Sequence, residues 1–179
     1  MKTRLAVLLL FVLALASAKP LLAQNDDYLN GLFNGYNGEW DHVSRYLVEL
    51  AEAIPADKYT WRPAPGVRSV SEVFMHSSIA SYYLLSITGP PMPSDIKQDT
   101  EKTVTAKPEV IAWLKRSLAA VKDAHGKVKP ADMQRHVTIF KRDATVDGMY
   151  LRILVHANEH YGQMIAYARV NGVTPPWSK

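Results

Sequence analysis

Two histidines four residues apart, His156 and His160, are the residues in this sequence most suited to chemistry. They sit in the stretch Thr145 to Gly172, TVDGMYLRILVHANEHYGQMIAYARVNG, which reads as one helix of about 26 residues. On a helix, that spacing stands one imidazole a turn above the other, so both can reach a single metal ion. They share a stripe with Met149, Ile153, Ala157, Met164 and Ala168, the side that turns inward at 3.6 periodicity. Two imidazoles on an inward face are either core histidines bonded to neighbouring polar groups or the ligands of one ion, which would offset the desolvation of both. A third ligand elsewhere in the chain decides between these readings.

The other four histidines differ in setting. His76 lies on an apolar face with Val73, Ser77, Ala80, Leu84 and Ile87, and the small residues Ser77 and Ala80 leave room beside it. His42 falls opposite the apolar arc of its helix and is expected at the surface. His125 lies in a last helical turn, where a positive imidazole would complement the helix dipole. His136 is expected to be solvated. The string His156-Ala-Asn-Glu159-His160 matches the H-x-x-E-H pattern of inverted zinc proteases. Those enzymes need a further carboxylate ligand well downstream on a large scaffold, and only 19 residues follow His160. Glu159 is therefore expected on the flank, as a second-layer partner to an imidazole at most.

The elements that must hold these residues are helices. Residues 25–54 carry an amphipathic pattern through Leu29, Phe33, Trp40, Val43, Leu47, Leu50 and Ile54, with Gly31, Gly35 and Gly38 implying a frayed start or a close contact. Pro55 ends it, and a proline-rich loop follows. Ser69-Val-Ser-Glu72 matches a capping box and opens a helix to about Thr88. From Gly89 to Ala106 runs a connection of about 18 residues, longer than adjacent antiparallel helices need. Pro108 starts the next helix, whose stripe is Val110, Ile111, Leu114, Leu118 and Val121 and which closes at Gly126. A second long connection, 127–144, includes QRHVTIF, read as a single exposed strand or extended loop. The tail after Gly172 is extended, with Trp177 placed to pin it.

Residues 1–23 read as a secretory signal peptide: Lys2 and Arg4 precede an apolar run from Leu5 to Ala16 that is too short to anchor in a membrane. Cleavage is expected after Ala23, with Ala18 the alternative. Residues 24–179 then form one domain, secreted or periplasmic. Its net charge falls from +4 to +1, because Lys2, Arg4 and Lys19 leave and no acid does. That balance excludes a nucleic-acid partner. The chain has no cysteine, which removes disulfides, thiolate ligands and a thiol nucleophile.

Helices in this order, with YTWRPAPGVRSVSEVFMHSS carrying His76 and HANEHYGQMIAYARVNGVTPP carrying the pair, resemble the DinB family of metal-binding bundles. The resemblance spans nearly the whole of residues 24–179. It implies an all-α four-helix bundle, up-down-down-up with long crossover connections, and His76, His156 and His160 as the metal triad. It implies a divalent ion, zinc ahead of nickel or iron. Many family members carry an arginine after the last ligand; Tyr161 stands there in this chain, so no anion-binding role is carried over.

Three neutral imidazoles leave a zinc-like ion an open position, the mark of a catalytic site rather than a closed structural one. The leading expectation is an exported metal-dependent enzyme that activates a thiol or water, of S-transferase or hydrolase type. Gln163 and Tyr161 are placed to touch a ligand or brace the site. Export weighs against the thiol version, because small thiols are largely cytosolic reductants. The alternative is a non-enzymatic bundle whose metal is structural or carried. A hydrophobic-ligand binder is disfavoured, since no long apolar surface is evident. The partner expected is a small molecule, possible thiols included, with no membrane anchor and a homodimer allowed.

Overall fold

A computed structural model describes residues 31–178. The signal-peptide reading of residues 1–23, and the helical pattern of residues 25–30, lie outside the described residues. Helix α1 spans Gly35–Ala53. It begins where the turn at Gly31 folds against it: a Cβ on Gly38 would stand 1.8 Å from the Gly31 carbonyl oxygen, so this approach admits only glycine. At its other end Lys107 donates to the Glu52 and Ile54 carbonyls at 2.7 and 2.8 Å, satisfying oxygens that a helix terminus leaves orphaned.

Helix α2, Val70–Ser86, opens on the expected capping box, with Glu72 N–H donating to Ser69 Oγ and Ser69 N–H to Glu72 Oε2. Unlike a simple amphipathic helix, it is buried on most of its circumference, from Val70 and Phe74 to Tyr82 and Leu85. Within the following connection lies a single turn of helix, α3, Thr100–Thr103, which the sequence pattern does not announce. Helix α4, Lys107–Lys127, carries Pro108 in its first turn. Helix α5, Val146–Val170, starts on Thr145, whose Oγ1 accepts from Gly148 N–H. It ends with Gly172 at φ 74°, Val173 N–H on the Ala168 carbonyl and Gly172 N–H on that of Arg169. That pattern is a Schellman stop.

Between α4 and α5, strands β1 (His136–Ile139) and β2 (Arg142–Thr145) pair antiparallel, His136 opposite Thr145 and Ile139 opposite Arg142. The single strand expected from QRHVTIF is therefore one arm of a hairpin. Its partner, Arg-Asp-Ala-Thr, is too polar and short to show an alternation. The hairpin is tied to the end of α2 by Arg135, which donates to the Thr88 carbonyl at 2.6 Å.

The protein is mostly helical. Helix α2 packs on α4 and α5, and α1 packs on the same two helices. Trp40, Leu47, Tyr59, Phe74, Leu114, Tyr150, Ile153 and Met164 are fully buried between them. Trp40 Nε1 donates to the Leu118 carbonyl, so its polar edge is satisfied inside the core. The C-terminal turn, Pro176–Ser178, rests on α1, with the Trp177 ring 4.4 Å from that of Tyr46 and 5.5 Å from that of Tyr161. Tyr161 thus braces the tail. No described helix is long and apolar enough to cross a membrane.

Candidate metal centre

Helices α2 and α5 bring His76, His156 and His160 together. One ring nitrogen from each lies within 4.8 Å of the others. The ring of His76 is 5.3 Å from that of His156 and 4.9 Å from that of His160. All three are half-buried, at the edge of the core rather than inside it.

Hydrogen bonds around the cluster set which nitrogen faces its centre. Tyr167 donates its hydroxyl proton to the Arg68 carbonyl at 3.2 Å, so its oxygen accepts from Gln163 Nε2 at 3.0 Å. This turns Gln163 Oε1 toward His160 Nδ1, 2.9 Å away. An amide oxygen only accepts, so Nδ1 of His160 carries the proton and Nε2 keeps its lone pair. The same argument holds for His76, whose Nδ1 lies 3.0 Å from Glu101 Oε2. Burial pushes the Glu101 carboxyl upward, but hydrogen bonds from Arg68 and His76 outweigh it and hold its pKa below the ordinary value. As a carboxylate it can only accept, so His76 Nδ1 carries a proton and Nε2 is the nitrogen of that ring not engaged by Glu101.

The Nε2 atoms of His156 and His160 stand 3.1 Å apart. Two imidazoles bound to one tetrahedral zinc-like ion would hold their nitrogens about 3.3 Å apart, from metal–nitrogen bonds of about 2.0–2.1 Å. The donor set and its spacing fit such an ion. Burial, and then the neighbouring His160 and His76, push the His156 pKa down to about 4. Burial is also the main cause that lowers His160, partly offset by its bond to Gln163. Both rings are therefore neutral near pH 7, the form that ligates.

The remaining histidines stand apart from the centre, two of them otherwise than the sequence suggests. His42 is buried, 7 % exposed, edge-on to Tyr46 at 4.5 Å. Tyr46, one turn further along α1, also meets Trp177 of the tail at 4.4 Å. His125 is sandwiched by Tyr36 at 4.0 Å and Tyr150 at 4.8 Å. Burial lowers its pKa, so packing overrides the dipole role expected of a positive ring. His136 is exposed as expected and pairs with Asp143. Glu159 pairs with Arg152 at the surface, so the imidazole partners are Glu101 and Gln163 instead. Glu101 sits on α3, in a stretch without periodicity. Only the need of a ligating histidine for a carboxylate could have pointed to it.

Two cavities flank the cluster. One, of about 790 Å³, is lined by His76 and His156 together with side chains of α2, α5 and the hairpin. The other, of about 730 Å³, is polar and lies beside Arg68, Glu101 and Gln163.

Comparison with known proteins bears on the fold and the family. A crystal structure of a DinB-like protein from Bacillus cereus ATCC 10987 superposes with a TM-score of 0.71 at 20% identity, covering 80% of this chain and 95% of that one. A DinB-like protein from Bacillus subtilis gives 0.61 at 16% identity, covering 78% and 93%. At these identities the likeness is one of fold. No curated protein matches the sequence. The family model of the DinB superfamily matches residues 39–164, which contain all three clustered histidines, and the chain belongs to that superfamily.

Proposed function

We propose that His76, His156 and His160 hold a divalent metal ion, zinc ahead of nickel or iron, in an enzyme of S-transferase or hydrolase type. The four long helices would form an up-down-down-up bundle around it, a reading supported by the ring of contacts in which α1 and α2 each pack on α4 and α5. The observation that carries the proposal is the orientation of the rings. Glu101 and Gln163 occupy the Nδ1 atoms of His76 and His160, which leaves the Nε2 atom of each ring to reach a shared ion. Without an ion, a proton on His156 Nε2 could bridge to His160 Nε2 at 3.1 Å; an ion would take the place of that bridge and engage His76 as well.

A metal ion in this place would lower the pKa of a coordinated thiol or water toward neutrality and so supply a nucleophile at ordinary pH. The chain's own residues do the rest. Glu101, held by Arg68, fixes the tautomer and tilt of His76. Gln163, held by Tyr167, does the same for His160. Three protein ligands leave at least one position open, and the larger cavity reaches His76 and His156 from outside. Residues 1–23 would direct the protein out of the cytoplasm.

Cobalt substitution tests the open position. Azide or a small thiol should change the visible spectrum, because exogenous ligand displaces solvent from the ion. A spectrum indifferent to both would contradict catalysis and favour the alternative, a structural or carried metal.

A further inference from the structure

The larger cavity has a composition that bears on what enters it. Its wall is apolar: Ala80, Tyr83 and Leu84 of α2, Met149 of α5, and Ile139 and Phe140 at the hairpin tip. Polar side chains in the lining are turned to partners of their own. Asp143 is paired with His136, Thr145 Oγ1 accepts from Gly148 N–H, and the Arg152 guanidinium is bonded to Glu159. Among the described residues of the lining, what remains to meet a polar group is the Tyr83 hydroxyl and the ring edges of His76 and His156.

A second observation concerns the hairpin turn. Phe140 and Lys141 have φ of 49° and 62°, both left-handed, as a two-residue type I′ turn demands. Such positions favour Asn, Asp or Gly, and a bulky residue there costs free energy. Phe140 recovers little of that cost by burial, because it is 74 % exposed. Its ring instead stands 6.0 Å from that of Tyr83, forming the mouth of the cavity on the side facing α2. A strained, exposed aromatic at the lip of an apolar cavity is accounted for if something apolar covers it.

We propose that this cavity binds a small molecule with an apolar body and a single metal-seeking end, an alkyl or aryl thiol of about six to ten carbons. Such a molecule would fill only part of the cavity of about 790 Å³, a volume within the range of small-molecule sites, about 300–1,000 Å³. The inference rests on the open metal position proposed above. It also returns to the hydrophobic-ligand reading disfavoured from the sequence: the apolar surface is assembled from α2, α5 and the hairpin, so no single stretch of sequence displays it. A thiol carrying carboxylates would find both charged side chains of this lining, Asp143 and Arg152, already paired.

The test uses the full mature chain in two forms. Cobalt-loaded protein is titrated with ethanethiol, butanethiol, hexanethiol and mercaptosuccinate, read by its visible spectrum. Affinity should rise about three- to fourfold per added methylene, with mercaptosuccinate no tighter than ethanethiol. Phe140→Gly should flatten that rise while keeping or raising thermal stability, since glycine relieves the turn. Metal-free protein is then mixed with 1-hexanol and followed by methyl NMR, where Ala80, Leu84, Ile139 and Met149 should shift. Equal affinity across the thiols, tighter binding of mercaptosuccinate, or unmoved methyls would overturn the proposal. A cobalt spectrum that answers no thiol, with the methyls still shifting, would sink the open metal position and leave the apolar pocket standing.

Discussion

Glu101→Ala is the most informative single change away from the three imidazoles. In the native chain Glu101 Oε2 lies 3.0 Å from His76 Nδ1 and Oε1 lies 2.6 Å from Arg68 Nε, so one carboxylate links the loop before α2 to α3 and to a ligand ring. Removing it frees His76 to rotate and to place its proton on either nitrogen. Loss of such a partner costs about 10–100-fold in metal affinity, or about 1.4–2.7 kcal/mol. The side chains of Glu101 and His76 are both 25% exposed, so water replaces part of the lost bond and the effect should lie near the lower bound, about tenfold. Arg68 loses only an exposed ion pair, which contributes at most about 1 kcal/mol to folding. Competition against a chromophoric chelator measures the affinity, and urea unfolding of the metal-free protein measures the fold. Glu101→Gln, which keeps an acceptor but not the charge, should fall between. Glu159→Ala is the control: its partner is Arg152, so affinity should stay at the wild-type value. Unchanged affinity in a folded Glu101→Ala, or an equal loss in Glu159→Ala, would refute the reasoning.

Acid should destabilise the metal-free protein. Unfolded imidazoles take up protons near pH 6.5, whereas burial and its neighbours hold His156 neutral to about pH 4. The unfolded state then binds more protons, and stability present above pH 6.5 is lost as pH falls toward 4. The ring is partly open to water, so the loss is about 1–2 kcal/mol; urea midpoints at pH 7 and 4.5 measure it, and His156→Ala should shrink it. Ser69→Ala removes one half of a capping box and should cost about 1 kcal/mol, read by thermal melting, with metal content unchanged. Intact mass of protein from its native host should begin at Gln24, or failing that Lys19; a chain retaining residues 1–18 would contradict the signal-peptide reading.

The parts legible in the sequence are those fixed by local rules. Capping residues and periodicity located α2, α4 and α5, because Ser69, Thr145, Pro108 and Gly172 act within one turn of their positions. The i, i+4 spacing put His156 and His160 on one face, which needs no tertiary information. What was not legible depends on contacts between distant segments. His42 is buried against Tyr46, which also meets Trp177 of the tail, and His125 has its pKa lowered by burial between Tyr36 and Tyr150. Glu101 reaches His76 across 25 residues from a single helical turn. Strand β2 exists because β1 pairs with it, and the apolar cavity because three elements converge. None of these leaves a periodic mark on the chain.

The central claim is that His76, His156 and His160 hold one metal ion, and metal content per chain in histidine variants tests it most directly. Protein purified from its native compartment should carry about one divalent ion per chain. Changing any one of the three to Ala should remove it, while His42→Ala, His125→Ala and His136→Ala should each retain it, because these rings lie outside the cluster. Full occupancy in folded His76→Ala, or loss of the ion on changing His125 alone, would contradict the account.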